Sequence, residues 1–161
     1  MNSKVMSIHE TIKLNTRLFH NLLQDVTNEI AYKVPTENTN PIMFITIHLL
    51  DARFYIARFC GVKFKNPYKE IFDKINSHED MKGLPSIDEI RNTWDELSKK
   101  LLAELEVITD ERLSQNPRLD FPVEDKTIFG AITFMTQHES YHLGQLGYLR
   151  KYFGLSPINY N

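Results

Sequence analysis

The string His138-Glu139-Ser140-Tyr141-His142 sets two histidines four residues apart. On a helix, residues so spaced lie about 40° apart around the axis and one turn apart along it, so two imidazoles reach the same side and can grip one metal ion. The pattern is H-E-x-x-H, in which zinc peptidases use the glutamate as a general base. Glu139 is therefore the candidate catalytic residue, with a solvent-facing position or a tether to a neighbouring helix as the ordinary alternatives. The rest of the chain departs from the peptidase pattern. Its extended form wants Gly and a third His where this chain has Gln145 and Tyr148, and no acidic residue follows Glu139. A third ligand has to come from upstream.

His48 is the upstream candidate. It lies between Ile45 and Ala52 on an apolar seam, as His138 and His142 lie on the seam Ala131, Met135, Gln145 and Leu149. By period all three face the core, where a neutral imidazole is costly unless its nitrogens find partners. A shared metal site satisfies them together; three separate core histidines bonded to carbonyls or hydroxyls are the alternative. His9, His20 and His78 fall on polar faces or in a charged loop and are expected in solvent. Asp51, one turn from His48, either orients that ring or pairs with Arg53 or Lys63. Three neutral ligands with an open position suit Zn²⁺ or Ni²⁺, with Fe²⁺, Mn²⁺ and Co²⁺ also possible. Such an ion lowers the pKa of bound water and binds a thiol as thiolate.

Four helical segments must position these groups. Ile8, Ile12, Phe19, Leu22, Val26 and Ile30 predict a first helix from about Ser7 to Ile30. Asn40-Pro41 opens the second, which runs to Phe59 with Gly61 as its stop. Ser86 with Glu89 forms a capping box for the third, whose stripe is Ile90, Trp94, Leu97, Leu101 and Leu105. The fourth runs from Thr127 to Phe153, ahead of Gly154 and Pro157. No stretch alternates with a two-residue period, so no sheet is expected. The link over 61–85 is long enough to cross the length of a bundle and has room for a short helix over 68–75. A four-helix bundle with one long crossover between helices two and three is the simplest architecture. His48 lies roughly 10 Å along its helix, and His138 and His142 roughly 15–21 Å along theirs, so a modest stagger aligns the three whichever way the helices run. Ser140, Gly144 and Gly147 put small residues on one side of the last helix, which suggests a close neighbour there.

Composition bounds the class. The chain has 161 residues, 42% hydrophobic and 25% charged, which suits one globular domain over 1–161. A net charge of −2 gives no basic excess for nucleic acid or an anionic membrane. A single cysteine, Cys60, excludes an internal disulfide framework and any CxxC site. The first residues lack the apolar core of a signal peptide, and no apolar run is long enough to span a bilayer, so a cytoplasmic location is expected.

The strings HESYHLGQLGYLRKYFGL and TIHLLDARFYIARFCG resemble the DinB-like superfamily of metal-dependent enzymes, and the similarity extends over essentially the whole chain. The resemblance implies a bundle of up-down-down-up order and a three-histidine metal site at His48, His138 and His142. It also implies a homodimer. For some members it implies transfer of a low-molecular-weight thiol such as bacillithiol or mycothiol to an electrophilic small molecule. A metal-assisted hydrolase and a non-catalytic metal-binding protein are the other readings.

Overall fold

The computed structural model describes residues 1–75, 77 and 80–160. Among these, the long helices are α1 (Met6–Leu23), α3 (Ile42–Cys60), α5 (Ile87–Val107) and α7 (Ile128–Tyr152). Three short ones join them: α2 (Asn28–Tyr32), α4 (Lys69–Phe72) and α6 (Asp110–Leu113). No strand occurs among the described residues.

The expected first helix is two. Asp25 takes a left-handed φ of +60°, and the Thr27 hydroxyl then accepts from the Ile30 amide to start α2. Val26 and Ile30 continue the apolar period across this break, which is why periodicity alone overran it. The second helix begins one residue later than its Asn-Pro signal, with Pro41 as N-cap, and stops at Gly61, whose φ of +105° only glycine adopts freely. The capping box at Ser86 and Glu89 is present in both directions.

Each long helix packs on two others: α3 and α1 each touch both α5 and α7. The pairings give the directions. Along α3 and α7, His48 meets His142, Arg53 meets Glu139, and Phe59 meets Phe121 at the foot of α7, so these two run antiparallel. Asn15 meets Ser140 and Leu22 meets Gly147, so α1 and α7 run parallel. His9 approaches Glu106 while His20 meets Asp95, so α1 and α5 are antiparallel. The order is up, down, down, up. Two consecutive helices pointing the same way require a connection that returns the full length of the bundle, and the 61–86 segment carrying α4 is that crossover.

The centre is apolar, with Trp94 stacked on Phe19 at a centroid distance of 4.1 Å. A polar layer interrupts it. The Arg53 guanidinium donates to both carboxylate oxygens of Glu139 (2.6 and 2.7 Å) and to the hydroxyls of Thr16 and Ser98 (3.0 Å each). Asn15 donates to Ser140 (3.1 Å), and the guanidinium lies 3.9 Å from the centre of the Trp94 ring. All four long helices contribute. Gly144 has open space around it, and Gly147 meets only a Leu22 methyl, so the small residues of α7 do not admit a neighbouring backbone. The close approach is at Gly130 instead, where an added Cβ would stand 2.0 Å from the Asp125 carbonyl oxygen.

Candidate metal centre

Residues 48 on α3 and 138 and 142 on α7 come together. His138 Nε2 lies 3.3 Å from His48 Nε2 and 3.1 Å from His142 Nε2. One ligand atom from each ring falls within 4.8 Å of the other two. The rings are steeply inclined (62–77°) with centroids 4.4–5.0 Å apart, so their tips converge while their bodies diverge. Metal–nitrogen bonds of 2.0–2.1 Å at a tetrahedral centre put ligand nitrogens about 3.3 Å apart, so the spacing fits one ion.

Two further observations test that fit. His142 Nδ1 lies 2.7 Å from Gln145 Oε1, an oxygen that can only accept, so Nδ1 carries the proton and the Nε2 lone pair faces the other two rings. A proton on His138 Nε2 can serve only one of its two neighbours well, whereas a cation at the centre matches all three lone pairs. His138 Nδ1 is buried without a hydrogen-bond partner. The donor set therefore suits a divalent ion better than three separately satisfied histidines. Burial holds all three rings in the neutral, ligating form. His48 is pushed down to about 4, by desolvation first and then by His142 and His138, and the other two are lowered for the same leading reason.

The triad is not in the core. His48 is exposed as a residue, although its tip is enclosed by the other rings, and His138 and His142 are half-buried. The inward stripe of α7 runs through Ile132, Thr136, Glu139, Leu143 and Leu146, one residue round from the histidines. The site is a polar patch in the outer α3–α7 groove. Phe134 flanks His138 at 6.0 Å and the Tyr141 ring meets His142 at 5.1 Å. Gln145 Nε2 donates to the Tyr141 hydroxyl (3.0 Å), which leaves that hydroxyl's own hydrogen free to donate outward. An open groove of about 510 Å³, bounded by Gln145, Tyr141, Tyr148 and Asn40, begins here.

Glu139 does not join the triad. It is completely buried, with both oxygens taken by Arg53. Burial raises its carboxyl above the usual range while the guanidinium opposes the shift. A carboxylate so enclosed cannot reach a nucleophile beside the histidines, so the tether replaces the base role suggested by H-E-x-x-H. Arg53 is the residue that sequence reasoning missed, having been weighed only as a surface partner for Asp51. Its signal was an arginine between Ala52 and Phe54 in the most hydrophobic of the long helices. Asp51 accepts from Asn66 Nδ2 instead (3.1 Å).

The remaining histidines divide. His9 is buried rather than solvated, with Nδ1 3.2 Å from Glu10 and Nε2 3.9 Å from Glu106, because α1 packs on both α5 and α7 and so buries a wide arc. His20 is half-buried and bonds Asp95 at 2.6 Å. His78 lies outside the described residues. Cys60 is buried, and its thiol is pushed up to about 12 by desolvation, which makes it inert as a nucleophile.

The family model of the DinB superfamily matches residues 11–146. The chain belongs to that superfamily. Two solved structures from Bacillus subtilis share the fold. The DinB-like protein YjoA is 16% identical with a TM-score of 0.60, covering 98% of this chain and 96% of its own. YfiT, described as a probable metal-dependent hydrolase with an unusual four-helix bundle topology, is 15% identical with a TM-score of 0.65, covering 97% and 92%. No curated protein matches the chain significantly. Among the described residues, no helix is long and apolar enough to cross a membrane.

Proposed function

We propose that His48, His138 and His142 hold one divalent metal ion and that the chain is a metal-dependent enzyme transferring a low-molecular-weight thiol to an electrophilic small molecule. The observation that carries the reading is the convergence of three Nε2 atoms with the far side of His142 fixed by Gln145. When bound, the ion supplies Lewis acidity that lowers the pKa of a coordinated thiol or water. Zn²⁺ and Ni²⁺ suit three imidazoles best.

The chain's own groups favour a nucleophile that needs no protein base. Glu139, the one acid the motif offers, is locked away by Arg53. A thiol starts from a pKa near 8.5, far below that of water, so it ionises with less help. Tyr141 offers a hydroxyl hydrogen to an electrophile in the groove, and Phe134 sets an apolar ring beside His138.

Metal-assisted hydrolysis is the second reading, favoured by the fold shared with YfiT. A homodimer belongs to the proposal as well, supported by the exposed tyrosines 141, 148 and 152 of α7; a monomeric mass in sedimentation would overturn that part. The activity test uses metal-loaded protein, bacillithiol or glutathione, and a chlorodinitrobenzene dye. Metal-dependent conjugate that disappears in His142→Ala, with the helical signal intact, is the expected result. Dye hydrolysis without conjugate would replace the first reading by the second. Unchanged metal content in His142→Ala would remove both.

A further inference from the structure

The crossover closes a second cavity over the outer face of α3. It holds about 260 Å³ and has an apolar floor and a charged rim. Phe54 and Phe64 form the floor, with ring centroids 5.6 Å apart. Arg58 stands at the rim over the Tyr55 ring at 4.6 Å, and Lys65 and Lys69 rise from the crossover. The Asn66–Asp51 hydrogen bond fastens the crossover to α3 beside the cavity.

The charges do not cancel. Lys69 is paired with Asp73. Among the described residues, neither Arg58 nor Lys65 forms an ion pair, and Asp51 is the only acid in the lining. Two cations against one carboxylate leave an excess of one positive charge above an aromatic floor, on a chain whose overall charge is −2.

We infer that this cavity binds an organic monoanion with an apolar body, its carboxylate held between Arg58 and Lys65 and its body against Phe54 and Phe64. The site also points to the triad. Asp51 lines both this cavity and a recess of about 150 Å³ that borders His48, so the two adjoin at that residue. Tyr55 and Arg58 follow His48 by seven and ten residues, about 10 and 15 Å along the helix, so an anion held at Arg58 needs a body of about that length to reach the triad. That the anion is the substrate of the triad rests on the proposed metal-dependent function; its binding here does not.

The test uses metal-free protein, so that failure of the metal reading leaves it standing. The probes are 4-phenylbutyrate, 4-phenylbutanol and 4-phenylbutylamine, which share one body and differ in the head. Binding is followed by amide chemical shifts. The carboxylate should bind about tenfold more tightly than the alcohol, the amine weakest of all, with the largest shifts over Val62–Asn66. Arg58→Gln with Lys65→Gln should level carboxylate and alcohol, and Phe64→Ala should weaken all three. These rim residues lie at the surface, so thermal melts should match the parent. Equal binding of alcohol and carboxylate by the parent protein would overturn the inference. So would shifts confined to the Tyr148 face, or a carboxylate preference that survives the double substitution.

Discussion

His138 and Glu139 are neighbours in the chain and face opposite worlds. One turns into the outer groove with His48 and His142, and the other turns about 100° further round α7 into the dry centre with Arg53. Both clusters bind α3 to α7 through polar groups, but their energetics differ. Inside, two full charges have lost their water, and only a bidentate geometry with further bonds from Asn15, Thr16 and Ser98 offsets that loss. Outside, three half-enclosed rings stay neutral, and their nitrogens converge where one cation would match their lone pairs. The inner cluster fixes the register of the helices, and the outer one uses it. Arg53 is five residues beyond His48, and Glu139 is one beyond His138, so a slip that broke the ion pair would also separate the ligands.

The largest effect should come from breaking the inner cluster. Glu139→Ala leaves a buried guanidinium without its counter-charge, and a loss of about 3–5 kcal/mol in urea unfolding is expected. Arg53→Met combined with Glu139→Leu removes both charges and should cost much less than the single change. Thr16 then retains its bond to the Ile12 carbonyl and Asn15 its bond to Ser140, while Ser98 loses Arg53. If the single and double variants proved equally unstable, the ion pair would not be what holds this layer. The double variant also sharpens the comparison, because stability retained with weakened metal binding would mark the pair as a positioning device for the histidines.

The bundle was legible in the sequence because its helices are strongly periodic and three of the long ones carry a clear signal at one end: Ser86 with Glu89, Gly61, Gly154. The α1–α2 break was not, because an aspartate in a left-handed turn leaves the apolar period of Val26 and Ile30 intact. The triad was legible as a set of residues and misplaced in depth. A seam read from Met135 and Leu149 looks continuous through His138 and His142, yet a rotation of one residue separates the buried stripe from the groove. The same rotation explains Glu139. The H-E-x-x-H pattern records spacing along a helix and says nothing about which side a third helix covers, and here α1 and α5 close over the Arg53–Glu139 pair, with Asn15 bonded to the glutamate and Ser98 to the arginine. Arg53 could be assigned only once its partner, 86 positions away, was in place.

A smaller effect should follow from loosening the outer cluster. Gln145→Leu removes the acceptor that fixes the His142 tautomer and keeps much of the side-chain volume. Metal affinity should fall about 10–100-fold, the usual cost of losing such a partner, with unfolding in urea unchanged because Gln145 is only half-buried. Gln145→Glu should retain binding, since a carboxylate accepts the same hydrogen bond more strongly. Competition titration against a chromophoric chelator measures both. An affinity unchanged in Gln145→Leu would mean that the His142 ring is oriented by packing alone.

The smallest effect separates the clusters by pH. In metal-free protein His48 is lowered from its ordinary 6.5 to about 4, so between these values the unfolded chain binds more protons than the folded one. The stability contributed by the neutral ring is therefore complete above pH 6.5 and is lost as the pH falls toward 4. Desolvation is the leading cause, so His48→Asn, which cannot take up a proton, should lose less stability across this window than the parent. Urea midpoints at pH 7.5, 5.5 and 4.5 for both proteins measure the difference, which includes the coupling of His48 to His138 and His142. Adding the metal should move the parent's loss to lower pH, since the ion and the proton compete for the same lone pair. If parent and variant curves ran parallel from 7.5 to 4.5, the ring would be titrating as freely in the fold as out of it, and the outer cluster would not be the desolvated site that its three converging nitrogens describe.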